Sequence, residues 1–270
     1  MKVRRPARGL TIIELLITAG IVAALIAMAV PVLSSLRLDA WKTASSSNLR
    51  QITIANMAFA AENGSFAPAD DFWNNRRWCG ARSSPSQPYD VTKGFLSDYL
   101  GQSKRVTPCP LFSHLLKRQK KVSSFEEGSG GYGYNDYISG GIAPNYTDDV
   151  QRLRIARRLT RLSNPARTIM FATTALAKSG GVQEYPFCHP PYWTDEWGNP
   201  QQLYGRPTPS LHFRFKGRAL VSWCDGRITV EGLEDRHVGS NPYGGDAKKE
   251  MLGWFGPDKD NGYWNPDASR

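Results

Sequence analysis

The feature that most constrains this chain is an uncharged, apolar run near its start. Between Glu14 and Arg37 lie 22 residues, Leu15–Leu36, none of them charged and most of them Leu, Ile, Ala or Val. At about 1.5 Å of rise per residue, a helix of that length crosses the roughly 30 Å hydrocarbon core of a bilayer. The run therefore predicts a transmembrane helix, to which we assign residues 10–36.

Charged groups flank the beginning of this run. A basic leader precedes it, formed by Lys2, Arg4, Arg5 and Arg8. Basic residues beside a membrane span stay on the cytoplasmic side, so the remainder of the chain is expected to be exported. Glu14 is the one carboxylate at the start of the run, and a charge at that depth costs on the order of 3 kcal/mol. It therefore needs a partner or a function.

The order of leader, Gly9, Leu10, Glu14 and apolar run resembles the processing site of type IV pilins and type II secretion pseudopilins. The resemblance implies that a prepilin peptidase cuts between Gly9 and Leu10, which removes residues 1–9, and that Leu10 is then N-methylated. It also implies that Glu14 acts in assembly of the subunits into a fibre. The family usually begins its mature chain with Phe, where this chain has Leu10.

An ordinary secretory signal is the alternative interpretation of the same segment. Such a signal should end in a small-residue cleavage site, and Ala29 followed by Val30 and Pro31 fits that pattern poorly. Pro31 lies where the family's helix often carries a kinking proline. Its ring removes one backbone hydrogen bond, so we expect a bend in the helix there.

A helical pattern continues beyond the predicted span. Apolar or small residues recur every three to four positions, at Leu38, Trp41, Ser45, Leu49, Ile52, Ala55 and Phe59. This periodicity predicts an amphipathic helix over residues 37–64 that continues the membrane span, with Gly64 as its C-cap. Its apolar stripe should pack against the rest of the chain.

The sequence predicts one exported globular domain over residues 65–270. Short β-prone runs occur at Thr168–Thr173, Leu211–Phe215, Arg218–Cys224 and 228–231. Asp225-Gly226 is a hairpin signal between the last two runs. We therefore expect an α+β, pilin-like fold in which the long N-terminal helix packs on an antiparallel sheet with long loops.

Several short motifs resemble a large group of bacterial pilin-like proteins. They include Asn48-Leu49-Arg50-Gln51-Ile52, Cys109-Pro110 and Gly131-Tyr132-Gly133-Tyr134-Asn135. The last lacks the lysine of a phosphate loop and is expected to be a turn with aromatic anchors. The group also carries a His-x9-Asp-Gly motif. Asp225 and Gly226 match it, but Phe215 stands at the histidine position.

Four cysteines leave the disulfide question open. They are Cys79, Cys109, Cys188 and Cys224. An exported domain meets an oxidising compartment, and four cysteines allow three pairings between which the sequence does not choose. No CxxC is present. Cys188-His189 is the only Cys-His neighbour pair, and a zinc site made from it would need ligands from scattered loops, so zinc is not expected.

Two stretches are candidate binding sites. The oxygen-rich tail contains Asp258, Asp260 and Asp267 and resembles the calcium-binding C-terminal loop of major pseudopilins, although its spacing does not match an EF-hand. Calcium is the one cofactor considered. An insertion over residues 176–210 contains Trp193 and Trp197, which either bind a partner or pack within their own loop.

These observations favour a pilin or pseudopilin subunit in the bacterial inner membrane. Its expected partners are the prepilin peptidase, the membrane and other subunits, in a secretion pseudopilus or a pilus-like fibre. The arginines of residues 152–162 fit a solvated helix face, so nucleic acid is not expected as a partner. No hydrolase or metalloprotease motif is present, so catalysis is not expected either. The alternative is a membrane-anchored exported protein that binds carbohydrate or another surface through the aromatic insertion.

Overall fold

The architecture is taken from a computed structural model that describes most of the chain. The described residues are 11–71, 73–119, 126–139, 158, 160, 162–194, 200–201, 206–234, 241 and 244–267. The chain divides into two compact units, Met1–Trp41 and Lys42–Arg270.

Helices and strands alternate irregularly within these residues. The helices are α1 (Ile12–Asn63), α2 (Pro110–Arg118) and α3 (Asp136–Ser139), with 3₁₀ turns at Ser97–Tyr99, Pro165–Arg167 and Lys259–Trp264. The strands up to residue 183 are β1 (Arg76–Arg77), β2 (Gly80–Ala81), β3 (Tyr132–Asn135), β4 (Ile169–Thr173), β5 (Leu176–Lys178) and β6 (Gly181–Gln183). The remaining strands are β7 (Phe187–Cys188), β8 (Trp193–Thr194), β9 (Pro200–Gln201), β10 (Leu211–His212), β11 (Arg218–Trp223), β12 (Ile228–Gly232) and β13 (Leu252–Gly253).

The second half of α1 buries the predicted stripe. Ser45, Leu49, Ile52 and Ala55 are at most 1% exposed. Gly64 ends the helix with φ of +76°, and its N–H donates to the Ala60 carbonyl at 2.9 Å. The amphipathic pattern and the glycine C-cap are both confirmed.

Buried hydrogen bonds fasten this half of α1 to the domain. The Tyr132 hydroxyl donates to the Ser45 carbonyl at 3.2 Å, and the Asn56 side-chain amide donates to the Tyr134 hydroxyl at 2.9 Å. The Asn56 carbonyl oxygen accepts the Ala67 N–H at 3.0 Å. Because these groups are inaccessible to water, each bond also avoids the cost of an unsatisfied polar atom.

The main sheet has five strands in the order β12-β11-β4-β3-β7. Its first three contacts are antiparallel, so the predicted α+β fold with a predominantly antiparallel sheet is confirmed. The contact between β3 and β7 is parallel, which corrects the expectation of a wholly antiparallel sheet. A parallel neighbour needs a long connection, and the described residues between β3 and β7 include β4, β5 and β6.

The Gly-Tyr motif is a central strand, and its interpretation as a turn was wrong. β3 lies between β4 and β7, and all four of its residues are buried. A Cβ on Gly133 would come within 2.5 Å of a Thr174 methyl carbon and 2.7 Å of the Phe187 carbonyl oxygen. A glycine is therefore needed where the strand packs this closely. On the same strand, the Tyr134 ring stacks on Phe171 with centroids 4.5 Å apart.

The strands near the C-terminus follow the prediction with one exception. Asp225-Gly226 forms the turn between β11 and β12, with Gly226 at φ of +89° and its N–H bonded to the Trp223 carbonyl at 2.9 Å. Of the predicted strand 211–215, only Leu211–His212 is a strand. This strand, β10, pairs with β13 outside the main sheet.

All four cysteines are buried free thiols. None of the three pairings that the sequence left open is therefore formed. Burial raises the pKa of the Cys79 thiol to about 12, which keeps this side chain protonated and unreactive.

One ion pair lies inside the core. Arg77, 1% exposed, pairs with the carboxylate of Glu126, 5% exposed, through both terminal nitrogens of the guanidinium. Its Nε–H donates to Asn74 Oδ1 at 2.7 Å, and its guanidinium lies 4.4 Å from the centre of the Tyr89 ring. Removal of either charge would leave the other buried without the opposite charge of this pair.

The buried histidine of β10 predicts a pH dependence. Burial, and secondarily the charge of Arg214, hold the pKa of His212 well below its usual range. The unfolded chain takes up a proton at this residue below about pH 6.5, whereas the folded chain does not. His212 should therefore reduce stability as the pH falls through that value, by at most about 1.4 kcal/mol per pH unit.

Denaturant unfolding of the protein and of His212→Phe, repeated across the acidic range, measures this contribution. The free-energy curve of the variant should fall less steeply below about pH 6.5. Parallel curves for the two proteins would contradict the proposed origin of the effect.

Candidate functional site

The first half of α1 has an unusual surface for a protein helix. Between Ile12 and Leu36 the large apolar side chains that the structure describes are all more than half exposed, with values between 78% at Ile12 and 53% at Val22. Among the described residues, α1 is the one helix long and apolar enough to span a membrane. An exposed apolar surface of this kind fits a single membrane span or a signal sequence, since water is an unfavourable environment for it.

Glu14 and Thr11 form a capping box at the start of this helix. Thr11 precedes the first helical residue, and its Oγ1 accepts the Glu14 N–H at 3.2 Å. In return, the Glu14 carboxylate accepts the Thr11 N–H and the Thr11 hydroxyl proton, each at 2.9 Å. The reciprocal bonds satisfy backbone donors that a helix N-terminus otherwise leaves unpaired.

Only one of the two carboxylate oxygens of Glu14 takes part in the capping box. Both bonds from Thr11 go to Oε2 of Glu14. The other oxygen, Oε1, has no hydrogen bond to any residue within the described part of the chain. Glu14 is therefore held in one orientation with an acceptor still available, and a carboxylate of that kind can receive a cationic donor.

The sequence contained a signal for this arrangement that was not used. Thr11-x-x-Glu14 immediately before an apolar run is the spacing typical of a capping box. The partner that Glu14 requires therefore lies, at least in part, within its own chain. Pairing with another subunit stays a prediction.

The structure gives less information on the other N-terminal residues for which the sequence predicts a role. Gly9 and Leu10 lie outside the described residues. Pro31 lies within α1, which continues as one helix on both sides of it. The cleavage, the methylation and the kink at Pro31 stay predictions.

The aromatic insertion is described as far as Trp193. This side chain is half-buried in β8, with its ring centroid 5.6 Å from that of His189. The His189 ring in turn stacks on Phe187 and forms a hydrogen bond of 2.5 Å with the Tyr185 hydroxyl. Trp193 thus packs within the aromatic residues of its own insertion, whereas Trp197 lies outside the described residues, as does most of the arginine-rich run 152–162.

The three aspartates of the tail have separate environments. Asp258 lies 3.7 Å from an Arg206 nitrogen, and Asp267 accepts a hydrogen bond from Ser163 at 3.5 Å. Asp260 lies in a left-handed turn with φ of +53°. In the described ranges no three His, Cys, Asp or Glu side chains are placed to hold a metal ion, so these aspartates are not brought together as a calcium site.

The chain therefore has a pilin-like architecture, with a long apolar N-terminal helix packed through its second half on a mainly antiparallel sheet. No protein-family model, curated protein or solved structure matches it.

Proposed function

We propose that the protein is a prepilin or pseudopilin subunit that is cleaved after Gly9, N-methylated at Leu10 and assembled into a fibre. The observation that carries this proposal is the first half of α1. It is apolar and exposed along its length, and it begins at a carboxylate held by its own capping box. An anchor alone would not need a charged group oriented at that point.

The exposed helix supports a transfer from membrane to fibre. In the bilayer its apolar side chains contact lipid, and in a fibre they would contact the same helix of neighbouring subunits. The apolar surface therefore stays out of water in both states, and transfer between them avoids the cost of hydrating it. The second half of α1 meanwhile stays packed on the exported domain.

Glu14 has a specific role in this proposal. The capping box leaves Oε1 without a bond from Thr11, and cleavage creates a positively charged amine on Leu10. The carboxylate of one subunit then pairs with the Leu10 ammonium of a neighbour. Within an apolar bundle an opposite charge at about 4–6 Å keeps both groups ionised and sets the register of adjacent subunits.

The remaining assignments follow from this role. The leader stays in the cytoplasm, α1 crosses the inner membrane once, and the domain after residue 64 is exported. The partners are the prepilin peptidase and other pilin or pseudopilin subunits, and the chain has a structural rather than a catalytic role. Both a secretion pseudopilus and a type IV pilus use such a subunit.

The mature N-terminus tests the proposal. The full chain is expressed in a host that has a prepilin peptidase, extracted from membranes and examined by intact-mass measurement. The mature chain should begin at Leu10, nine residues after the first residue of the sequence, and should carry one added methyl group. Gly9→Ala, made in parallel, should remain at full length.

Two results would contradict the proposal. A mature terminus at Ile21 or beyond would identify an ordinary secretory signal. A full-length chain in a host that processes a control prepilin would favour a permanently anchored protein, for which the aromatic insertion is the candidate binding region.

A further inference from the structure

The strand β12 forms one edge of the main sheet, and this edge has little of the usual protection. All five residues of β12 pair with β11 without a bulge, and among the described residues no strand lies on the other side. Natural edge strands are commonly protected by proline, lysine, a bulge or very short length. β12 has neither proline nor lysine, and Glu231 is its one charged residue. The strand at the opposite edge, β7, is only two residues long.

Alternate backbone groups of β12 point away from β11. At the two ends of the pairing, the Trp223 N–H donates to the Arg227 carbonyl at 2.9 Å and the Leu233 N–H donates to the Gly217 carbonyl at 3.0 Å. Bonded pairs alternate along an antiparallel ladder, so the odd-numbered residues of β12 bond to β11. The even-numbered residues therefore direct their N–H and C=O groups outward. These residues are Ile228, Val230 and Gly232.

The outward groups form no hydrogen bond to any residue in the described part of the chain. The side chains of residues 228–231 are half-buried and Gly232 is exposed, so this edge is accessible. Beyond Gly232 the edge closes, because the Glu234 N–H donates to the Trp254 carbonyl at 3.3 Å. The open edge therefore offers three successive donor and acceptor pairs, which is a template for one further strand.

We propose that β12 pairs antiparallel with β12 of a second copy of this chain, so that the two main sheets join. A two-fold axis at Val230 places Ile228 of each copy opposite Gly232 of the other. Each of the three outward-facing residues then exchanges two backbone hydrogen bonds with its opposite residue, as in any antiparallel ladder. The contact is self-complementary and closed, because both copies use the same surface.

The charges of the strand favour this partner and this direction. In the two-fold register, Glu231 lies opposite Thr229 of the second copy and diagonally next to its Arg227, on the same face of the sheet. Arg227 is exposed, although its Nε already lies 3.6 Å from Asp225 Oδ2. Two contacts between arginine and glutamate thus form for one approach of the two Glu231 carboxylates at a similar separation. A parallel copy in register would instead place like charges directly side by side.

Disulfide cross-linking tests this register. Thr229→Cys and Glu231→Cys are made separately in the full chain, given tags of different mass, and mixed in micelles of an uncharged detergent under mild oxidation. In the mixture, the two introduced thiols lie directly opposite each other, on Cα atoms about 4.5 Å apart, which is within disulfide range. The mixed disulfide should therefore exceed the homodimer of either variant at least about tenfold.

Each variant alone is the matched control. Two copies of the same variant place their introduced thiols two residues out of line, on Cα atoms about 8–9 Å apart, which is too far for a disulfide. The four native thiols are buried and do not compete. Because α1 is unaltered in both variants, a contact made only through α1 would not favour the mixed disulfide.

Val230→Pro, added to both variants, provides a second test. Proline removes the N–H group at the two-fold axis, and the ladder with β11 stays intact because that N–H group points away from it. The mixed disulfide should then fall to the level of the homodimers. The comparison of the mixture with the single variants decides the proposal even if the proline destabilises the domain.

Three results would overturn the proposal. Equal amounts of the mixed disulfide and the homodimers would indicate random encounters, and an excess of homodimers would indicate another register. A mixed disulfide that persists in the folded Val230→Pro chains would show that the backbone of β12 does not make the contact. None of these outcomes depends on cleavage after Gly9 or on the pairing of Glu14 with Leu10.

Discussion

Glu14→Ala is expected to abolish fibre assembly while the chain is still inserted into the membrane and cleaved. Cleavage precedes assembly and does not require the intersubunit pair. In the fibre the Leu10 ammonium would enter an apolar bundle without its carboxylate, and an unpaired buried charge costs roughly 3–5 kcal/mol. Electron microscopy of fibres, with intact mass measured on the same membranes, examines both effects.

The capping box means that Glu14→Ala removes two interactions together. It deletes the proposed intersubunit pair and also the two bonds from Thr11 to the carboxylate, whose loss weakens the start of the helix. Two further variants separate them. Glu14→Gln removes the charge but keeps an acceptor that suits a capping box. Thr11→Val removes the capping hydroxyl but keeps the carboxylate.

These two variants should differ in how much fibre they form. Glu14→Gln is expected to be cleaved but not assembled, because a neutral amide does not compensate the ammonium. Thr11→Val is expected to assemble, with fewer fibres because the carboxylate is less well oriented. Assembly of Glu14→Gln together with failure of Thr11→Val would show that Glu14 acts only as a helix cap, and the intersubunit pair would have to be abandoned.

Arg77→Met is expected to destabilise the domain by roughly 3–5 kcal/mol. The change leaves the Glu126 carboxylate buried at 5% exposure without the guanidinium that neutralises it. It also removes one of the two hydrogen bonds to Asn74 Oδ1, which keeps the bond from the Tyr89 hydroxyl at 3.2 Å. Denaturant unfolding monitored by tryptophan fluorescence measures the loss, and a decrease of this size could unfold a domain of ordinary stability.

A second substitution should reverse most of this loss. In Arg77→Met/Glu126→Leu both charges are absent, and replacement of a buried ion pair by apolar groups is often neutral or stabilising. The neighbouring exposed residue provides the control. Arg76→Met removes hydrogen bonds to the Lys93 and Gly94 carbonyls and a cation–π contact with Phe95, so it should cost only about 1–2 kcal/mol. If the double variant is as unstable as Arg77→Met, the pair contributes through packing rather than charge.

The sequence by itself determined the features that depend on neighbouring residues. The uncharged run after Glu14 requires an apolar environment whatever the domain looks like. The periodicity from Ser45 to Ala55, the C-cap at Gly64 and the turn at Asp225-Gly226 were all predicted correctly. Each is decided within a few residues, by helix geometry or by the ease with which glycine adopts positive φ. The Thr11–Glu14 cap belongs with them, although it was not predicted.

Only the tertiary structure decided the features that join distant segments. The local sequence of β3 is typical of a glycine-rich turn. It is nevertheless a central strand, because β4 and β7 pair with its two edges. The four cysteines are compatible with disulfides, but the fold buries each as a free thiol. Arg77 with Glu126, and His212, acquire their chemistry from burial. Burial depends on which segments pack together, and residue spacing along the chain does not encode that.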